Sequence, residues 1–388
     1  MKNTQSIINI LESHLAGNDE TYHRLTAIEL FAGAGGLALG FEQAGFKHLM
    51  LNEIDNRCSE TLRLNRPDWP LLQQDIRTLD FTPFYHQADV VAGGFPCQSF
   101  SAIGKRAGFD DERGALFFEF ARAIREIQPK IFIAENVKGL LHHKNGETLK
   151  IMLDKLTEAG YNVMPPRLLK AVNYRVPQLR ERVFIVGVRS DLDAPFIFPS
   201  SDNTIHTLHD ALKAGKLYPV DVPNSQGIMY SEKKREILSH VPEGGNWKNL
   251  PLAVQKTYMG KFYAKGSNTQ VARRLAWNKP AYTLLTKPDS KLTERCHPTE
   301  IRPLTVREYA RIQTFPDNWQ FAGALSAQYK QIGNAVPINL ALALALAIKG
   351  CLTRILNKES LKNENNRLFL AVGGSKNPQN PLKRETKQ

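Results

Sequence analysis

Cysteine is scarce in this 388-residue sequence, and its distribution limits what the protein can be. The four cysteines are Cys58, Cys97, Cys296 and Cys351. They form no C-x-x-C pair and are too few to cross-link a chain of this length, so the sequence excludes a disulfide scaffold and indicates a reducing compartment. Metal-ligand spacing is also missing: the adjacent His142 and His143 are expected to be solvated surface side chains, and no metal is predicted.

The sequence also lacks an uninterrupted apolar run long enough to span a membrane. Its most apolar stretch, INLALALALAIKG at 338–350, is shorter than the roughly 20 residues that a bilayer requires, so a buried helix after Pro337 is the better prediction. The N-terminal residues 1–24 are interpreted as an extension with a short amphipathic helix, and Glu12 interrupts any secretory signal there. We therefore expect a soluble, cytoplasmic protein without membrane contact.

Acidic residues are outnumbered by basic ones, 38 to 51, which gives a formal net charge of +13. An excess of cations is typical of proteins with a polyanionic partner, and nucleic acid is a more frequent partner of this kind than a membrane. Charge alone does not identify the partner.

Residues 26–190 alternate strand-like and helix-like segments. TAIELF, HLMLNEID, ADVVAGG and KIFIAENV are predicted strands, with amphipathic helical patterns between them. This rhythm predicts an α/β fold with a doubly wound, mostly parallel sheet. From residue 191 onward, loop residues without a sustained period predict a second, smaller, loop-rich domain. Residues 353–388 are polar and basic and are predicted to be a disordered tail.

A glycine-rich turn joins the first predicted strand to the first predicted helix. Gly33, Gly35 and Ala38 have G-x-G-x-x-A spacing, and Glu53 follows 20 residues after Gly33 at the end of the next predicted strand. Such a turn lets the backbone approach a ligand closely, and the carboxylate can bind ribose hydroxyl groups. From these residues alone, the ligand is either a nicotinamide dinucleotide or another nucleoside cofactor.

A cysteine follows a proline in the loop AGGFPCQSFS, directly after another predicted strand. Pro96 fixes its own backbone and restricts Phe95, which directs the side chain of Cys97. A thiolate placed in this way suits a transferase that attacks an electron-poor ring, whereas a dehydrogenase has no use for it. The loop setting favours this reading over an inert buried cysteine.

Two further polar groups are placed to reach the same ligand. Glu135 and Asn136 lie at the carboxyl end of an apolar strand, where open α/β sheets bind ligands. Gln178, Arg180 and Arg182 occupy alternate positions, so the three side chains are expected to face the same side. Arginines so ordered suit recognition of a carbonyl or a phosphate, and a solvated strand face is the alternative.

Together these segments resemble the motifs of the C5-cytosine DNA methyltransferases of bacterial restriction–modification systems. The matching segments, in the family's order, are Phe31-Ala-Gly-Ala-Gly-Gly, Pro96-Cys97-Gln98, Glu135-Asn136-Val137, Gln178-x-Arg180-x-Arg182, RPLTVREYARIQTFP at 302–316 and QIGNAVP at 331–337. The resemblance covers residues 25–350. Ala335 departs from the serine that is common in the family, which puts one cofactor-side hydrogen bond in doubt.

The resemblance implies S-adenosylmethionine as the methyl donor. In the family's pattern Phe31 packs on the adenine and Ile54 covers its other face. Glu53 binds the ribose, and Asp75 accepts a hydrogen bond from the exocyclic amine. The remaining implied cofactor positions are Gly33, Gly35, Ile76, Leu116 and Asn334.

The resemblance also implies covalent chemistry on cytosine. A thiolate at Cys97 adds to C6 while Glu135, protonated or sharing a proton, donates to N3. Arg182 is expected to hold the O2 carbonyl, with Arg180 beside it helping to keep the thiol anionic. The addition makes C5 nucleophilic enough to take the methyl group, and loss of the C5 proton then expels Cys97. The sequence does not identify the base that removes this proton.

Double-stranded DNA is the implied partner, and its target base must leave the stack to react. Residues 99–114, SFSAIGKRAGFDDERG, resemble the family's mobile catalytic lid, and Thr283-Leu284 resembles the recurrent pair of its recognition domain. The implied DNA-binding residues are Gln98, Ser99, Arg113, Thr283 and Leu284. Further candidates, as DNA contacts or as scaffold, are Asn246, Trp247, Lys248, Arg273 and Arg274.

The implied organisation has five parts. They are an N-terminal extension (1–24), a catalytic and cofactor-binding domain (25–190), a target-recognition domain (191–326), a helix returning to the catalytic domain (327–352) and the basic tail (353–388). We expect a monomer that protects DNA from a cognate restriction endonuclease. An RNA cytosine-5 methyltransferase is the alternative, because the tRNA-methylating branch shares these motifs, although its Cys-Phe-Thr triplet is absent here. A nicotinamide oxidoreductase would explain only the glycine turn.

Overall fold

The computed structural model describes residues 25–96, 116–192, 194–260, 263 and 269–373, with side chains up to residue 361 except at residue 292. The strands in these ranges are β1 Thr26–Leu30, β2 Lys47–Asn52, β3 Leu71–Leu72, β4 Val90–Gly93, β5 Ile131–Val137, β6 Tyr161–Val163, β7 Arg167–Lys170, β8 Gln178–Leu179, β9 Glu181–Arg189 and β10 Ala281–Tyr282. The α-helices are α1 Gly36–Gln43, α2 Asn56–Asn65, α3 Leu116–Ile127, α4 Glu147–Glu158, α5 Leu208–Leu212, α6 Glu232–Ser239, α7 Leu252–Met259, α8 Val306–Ile312, α9 Leu325–Asn334 and α10 Ile338–Gly373.

Eight of these strands form one sheet. Strands β3, β2, β1, β4 and β5 lie side by side in that order and run parallel, and β9 continues the sheet antiparallel to β5. Strands β6 and β7 both pair antiparallel with β9. The predicted α/β fold with a mostly parallel sheet is therefore confirmed. Because the strand order reverses between β1 and β4, their carboxyl ends border the crevice where such sheets bind ligands.

The central strands read as continuous apolar runs because both faces of the sheet are covered. One face carries α3 and α4, whose buried residues include Phe117, Phe120 and Met152. The opposite face is covered by α1 and α10, with Leu340, Leu344 and other apolar side chains in the core. This two-sided burial is what the alternating strand and helix pattern predicts.

Helices α1 and α10 cross with almost no space between their backbones. A Cβ atom added at Gly40 would lie 2.4 Å from the Cβ of Ala341, and one added at Gly36 would lie 2.4 Å from the carbonyl oxygen of Val336. The glycines of α1 therefore permit the close contact that brings the end of α9 to the turn after β1.

Helix α10 begins after Pro337, as the sequence predicts, but extends to Gly373. The prediction of a disordered tail is therefore wrong for residues 353–373, and the buried side chain of Ile355 belongs to the main core. Residues 374–388 lie outside the described part of the chain. By length and composition alone, the helical stretch Leu325–Leu361 would pass as a membrane span, but 56% of its most apolar window is buried inside the protein. This burial fits a core helix.

The region predicted as a second domain contributes to two hydrophobic clusters. Residues Leu208, Leu304 and Phe315 pack in one cluster with Ala38 of α1 and Leu62 of α2. A separate cluster holds Tyr230, Trp247, Val271 and other side chains between residues 230 and 301. The first cluster contains side chains from both sides of residue 191 and of residue 326, so it does not separate two domains at those positions. The predicted boundaries remain predictions.

Candidate active site

The turn between β1 and α1 adopts an unusual backbone conformation. Phe31, Gly33 and Gly35 have φ angles of 57°, 56° and 87°, in the left-handed region that favours glycine. The space beside Gly33 is open, since a Cβ atom added there would meet no atom within 4 Å. Gly35 instead packs against Leu62 and Trp319 and starts α1. The turn thus presents backbone to an open space at the crevice.

The carboxylate of Glu53 lies directly against this turn. Oε2 accepts a hydrogen bond from the N–H of Gly33 at 2.7 Å, and Oε1 accepts one from the N–H of Asp55 at 2.7 Å. The contact exists because β1 and β2 are parallel neighbours whose carboxyl ends lie together. Burial raises the pKa of Glu53, whose side chain is almost enclosed. Each oxygen retains acceptor capacity for one further donor.

The apolar positions predicted to bind adenine lie around the same turn. Ile54, next to Glu53, is 63% exposed, which is unusual for an isoleucine and leaves its side chain free to cover a ligand. Phe31 and Leu116 are half-buried and pack in one cluster with the buried Ile76. A nucleoside fits this donor set, because an acceptor carboxylate lies beside apolar surface and open backbone.

Two other predicted cofactor residues are placed less directly. Asp75 caps the 3₁₀ turn Ile76–Thr78 and pairs with Arg77 at 2.6 Å, and this hydrogen bond holds the pKa of Asp75 below its usual value. Asn334 is exposed at the end of α9, just before Ala335, which packs in a cluster with Ala32 of the glycine turn. Asp75 is connected to the glycine turn through Ile76, which packs with Phe31, and Asn334 through Ala335, which packs with Ala32.

Glu135 and Arg182 form an ion pair where β5 and β9 meet. Arg182 Nε lies 2.7 Å from Glu135 Oε1, and both side chains are mostly buried. A Cβ atom added at Gly94 would lie 2.9 Å from Glu135 Oε2, so the carboxylate is pressed against the backbone three residues before Cys97. Asn136 donates from Nδ2 to the carbonyl of Phe95 at 3.3 Å. The structure thus brings Glu135 and Arg182 to the chain that leads into the cysteine loop.

Gln178 and Arg180 do not join this pair. Arg180 is fully buried and donates to the carbonyl oxygens of Leu284 (3.2 Å) and Gly333 (3.0 Å). Gln178 accepts from the N–H of Leu284 at 3.0 Å. Of the three side chains Arg182 contacts Glu135, whereas Gln178 and Arg180 contact the segment around Leu284, and the strand is interrupted between β8 and β9. The predicted roles of the three side chains remain predictions.

The Thr283-Leu284 pair is bound to the sheet domain by these contacts. Thr283 donates from its hydroxyl group to the carbonyl of Leu179, and β10 pairs with β8. The side chain of Leu284 has no exposed surface, so it has no area for DNA in this conformation. Its observed contacts connect residues 281–284 to the segment that carries Arg180 and Arg182.

The other candidate DNA contacts are mostly scaffold. Arg273 donates to the carbonyls of Thr269 and Gly244, and Arg274 donates to the carbonyls of Pro298, Val241 and Thr299. The side chain of Asn246 caps a short 3₁₀ helix, and Trp247 is buried. Lys248 is exposed and lies over the Trp247 ring. Of the five candidates, Lys248 retains a cation at the surface.

Several predicted residues lie outside the described part of the chain. They are Cys97, Gln98, Ser99 and Arg113. The prediction that His143 is solvated is wrong, because it is buried and its Nδ1 lies 2.7 Å from the hydroxyl of Thr148. His142 is exposed, as predicted. Within the described ranges no cluster of three or more His, Cys, Asp or Glu side chains could hold a metal ion.

Sequence reasoning missed Gln313 as a link between distant segments of the chain. Its Oε1 accepts from Gln178 Nε2 at 2.8 Å, and its Nε2 donates to the carbonyls of Ile332 (2.7 Å) and Ala335 (3.1 Å). The side chain is fully buried. The available signal was its position inside the motif RIQTFP, where a polar residue interrupts an apolar run.

Comparison with known proteins identifies the family. Residues 25–350 match the C-5 cytosine-specific DNA methylases. Type II methyltransferase M.Eco47II of Escherichia coli is 56% identical over 333 residues, which cover 85% of this chain and 80% of the relative. Type II methyltransferase M.Sau96I of Staphylococcus aureus is 48% identical over 321 residues, 81% of this chain and 73% of the relative.

Solved structures agree with the sequence comparison. The crystal structure of a putative DNA modification methyltransferase encoded within an E. coli prophage has a TM-score of 0.62 and 25% identity, and the match covers 85% of this chain and 99% of that one. An Entamoeba histolytica methyltransferase, 16% identical, shares the fold with a TM-score of 0.58 and covers 85% of this chain and 99% of its own. The family match, the relatives and the fold agree: this chain belongs to the C-5 cytosine-specific DNA methylases.

Proposed function

We propose that this protein transfers a methyl group from S-adenosylmethionine to C5 of a flipped-out cytosine at a specific site in double-stranded DNA, through a covalent bond between Cys97 and C6. The observation that carries the proposal is the Glu135–Arg182 pair, held at 2.7 Å against the backbone that leads to Cys97. A donor and an acid placed together can bind the N3 and O2 edge of a cytosine ring.

The cofactor site follows from the glycine turn and the end of β2. Glu53 is the proposed acceptor for the ribose hydroxyl groups, and Phe31 and Ile54 are the proposed covers of the two adenine faces. The other proposed contacts are Gly33, Gly35, Asp75, Ile76, Leu116 and Asn334. When bound, S-adenosylmethionine supplies an electrophilic methyl group on a sulfonium. The open space at Gly33 and the exposed Ile54 support this assignment.

The base site uses Glu135 and Arg182 in different roles. Addition of the Cys97 thiolate to C6 moves electrons onto N3 and O2, and a proton on Glu135 together with the Arg182 guanidinium neutralises that charge. Arg182 pairs with Glu135 in this structure, so it must turn toward O2 when the base enters, before the thiolate adds. Methylation at C5 is followed by removal of the C5 proton, and the electrons of that C–H bond form the double bond that expels Cys97.

We assign Arg180 a supporting position. Its bonds to the carbonyls of Leu284 and Gly333 connect the segment that carries Arg182 to the recognition region and to α9. Because its guanidinium donates to these backbone carbonyls, we infer that Arg180 holds the segment that carries Arg182 in position. Residues between 230 and 301, with Lys248 and Thr283, are proposed to read the DNA target.

The biological role that fits the named relatives is protection of host DNA from a cognate restriction endonuclease. We expect the enzyme to act as a cytoplasmic monomer on chromosomal DNA. The test is bisulfite sequencing of DNA and RNA from cells that express the wild-type protein or a Cys97→Ser control. We expect cytosines in one DNA sequence to resist bisulfite conversion in cells with the wild type and to be converted in cells with Cys97→Ser. Protection of RNA alone, or of DNA with both proteins, would contradict the proposal.

A further inference from the structure

An arginine outside the recognised motifs fastens α3 to the turn that follows β3. Arg122 Nη2 donates to the carbonyl of Ile76 at 2.8 Å, and its Nη1 donates to the carbonyl of Leu79 at 3.0 Å. Its guanidinium also lies 5.0 Å from the ring centroid of the buried Phe81. Because Ile76 opens the 3₁₀ turn and Leu79 follows it, one side chain holds both ends of the turn.

Two carboxylates of α3 fix the orientation of this guanidinium. Arg122 Nε donates to Glu119 at 2.8 Å, and Nη1 donates to Glu126 at 2.9 Å. The three side chains are between 22% and 25% exposed. Ion pairs with this exposure contribute little stability by themselves, so their effect is to orient the fork that reaches the two carbonyls.

The two elements that Arg122 joins carry three of the proposed cofactor positions. Asp75 and Ile76 lie on the turn, and Leu116 is the first residue of α3. Helix α3 also directly follows residues 97–115, the segment that contains Cys97. The relative position of the turn and the helix therefore determines the shape of the adenine site.

We propose that Arg122 is a positioning residue for cofactor binding: it holds the Asp75–Ile76 turn against α3 so that Leu116 and the turn together form the adenine site. This inference rests on the proposed function, because it requires those residues to bind the adenine. Arg122 itself makes no contact with the reacting atoms, so its loss acts on cofactor affinity and leaves the methyl-transfer step unchanged.

Arg122→Lys is the sharpest test. Lysine retains the positive charge between Glu119 and Glu126, but one ammonium cannot reproduce the planar fork that spans the carbonyls of Ile76 and Leu79. Arg122→Gln is the second variant, because its amide can donate to only one side of the turn. The matched control is Arg125→Gln, which removes an exposed arginine from the same helix and leaves both carbonyl hydrogen bonds of Arg122 in place.

We expect Arg122→Lys and Arg122→Gln to raise the KM and the Kd for S-adenosylmethionine about tenfold, because a displaced turn loses the proposed hydrogen bond between the adenine amine and the Asp75 carboxylate. The kcat at saturating cofactor and the affinity for DNA should stay within about twofold of wild type, as should every parameter of Arg125→Gln. Thermal unfolding of each variant is measured alongside.

An unchanged cofactor KM in both Arg122 variants would overturn the inference. So would an equal loss of kcat, DNA affinity and cofactor affinity, because that pattern marks a general structural role. A wild-type protein that binds no S-adenosylmethionine would instead contradict the proposed function. The two failures are therefore distinguishable.

Discussion

Replacement of Glu53 by alanine tests the proposed cofactor site in quantitative terms. Each carboxylate oxygen accepts one backbone N–H, from Gly33 or from Asp55, and retains a lone pair for one ribose hydroxyl. A hydrogen bond to a charged group contributes about 1.5–3 kcal/mol. Loss of one bond predicts a Kd for S-adenosylmethionine that rises about 10- to 150-fold, and loss of a second multiplies this rise.

Isothermal titration calorimetry measures the effect, with Glu60→Ala in the exposed part of α2 as the control. Burial raises the pKa of Glu53, so its carboxyl group takes up a proton as pH falls through that raised value. The neutral group accepts hydrogen bonds more weakly, and the cofactor affinity of the wild type is expected to fall with it. Equal affinities of the Glu53→Ala and Glu60→Ala proteins for the cofactor would refute the assignment.

Three further changes test the fold around the site. Burial raises the pKa of Glu29 well above 4.5, so the folded protein keeps a proton that the unfolded chain releases. As pH rises from 4.5 to the raised pKa, the free energy of unfolding of the wild type should fall by up to about 1.4 kcal/mol per pH unit relative to that of Glu29→Gln, as measured by urea unfolding. A constant difference between the two proteins would contradict this. Gly40→Ala should lower the free energy of unfolding by about 1–3 kcal/mol, whereas Gly350→Ala, where the new methyl group has no neighbour nearer than 3.8 Å, should raise it by about 0.5–1 kcal/mol. Thermal unfolding shifts of the same sign in Gly40→Ala and Gly350→Ala would contradict the close contact between α1 and α10. Truncation after residue 373 should leave thermal stability unchanged, but truncation after residue 354 removes the buried Ile355 and should cost about 2–5 kcal/mol; equal stabilities would show that α10 ends earlier.

Local signals were sufficient to predict the sheet and the glycine turn between β1 and α1. The contact between Glu53 and Gly33 follows from two neighbouring parallel strands that end together, and the 20-residue spacing reflects one strand–helix–strand unit. Glu135 was also predicted from its place at the end of an apolar strand. These features depend on segments close in sequence, where periodicity and turn residues carry the information.

Long-range contacts and helix ends were not predictable in the same way. Arg180 bonds to Leu284 and Gly333, which are 104 and 153 positions away, and no local pattern marks such partners. His143 is buried beside Thr148, and although Asn145-Gly146 signals the turn between them, a turn signal does not show which neighbouring side chain points inward. Helix α10 continues past residue 352 because residues 351–372 contain no glycine or proline, although their polar composition indicated a tail.

The proposed reaction depends most on the thiol of Cys97, and a mechanism-based trap tests that thiol directly. If release requires loss of the C5 proton, fluorine at C5 must block release, because it cannot leave as a proton does. A duplex with 5-fluorocytosine at the methylated position should therefore form a denaturant-resistant adduct with the protein, dependent on S-adenosylmethionine. Cys97→Ser should form none, whereas Cys58→Ser, Cys296→Ser and Cys351→Ser should form it normally. An adduct mapped to another cysteine, or no adduct on DNA that the protein demonstrably methylates, would contradict the proposed mechanism.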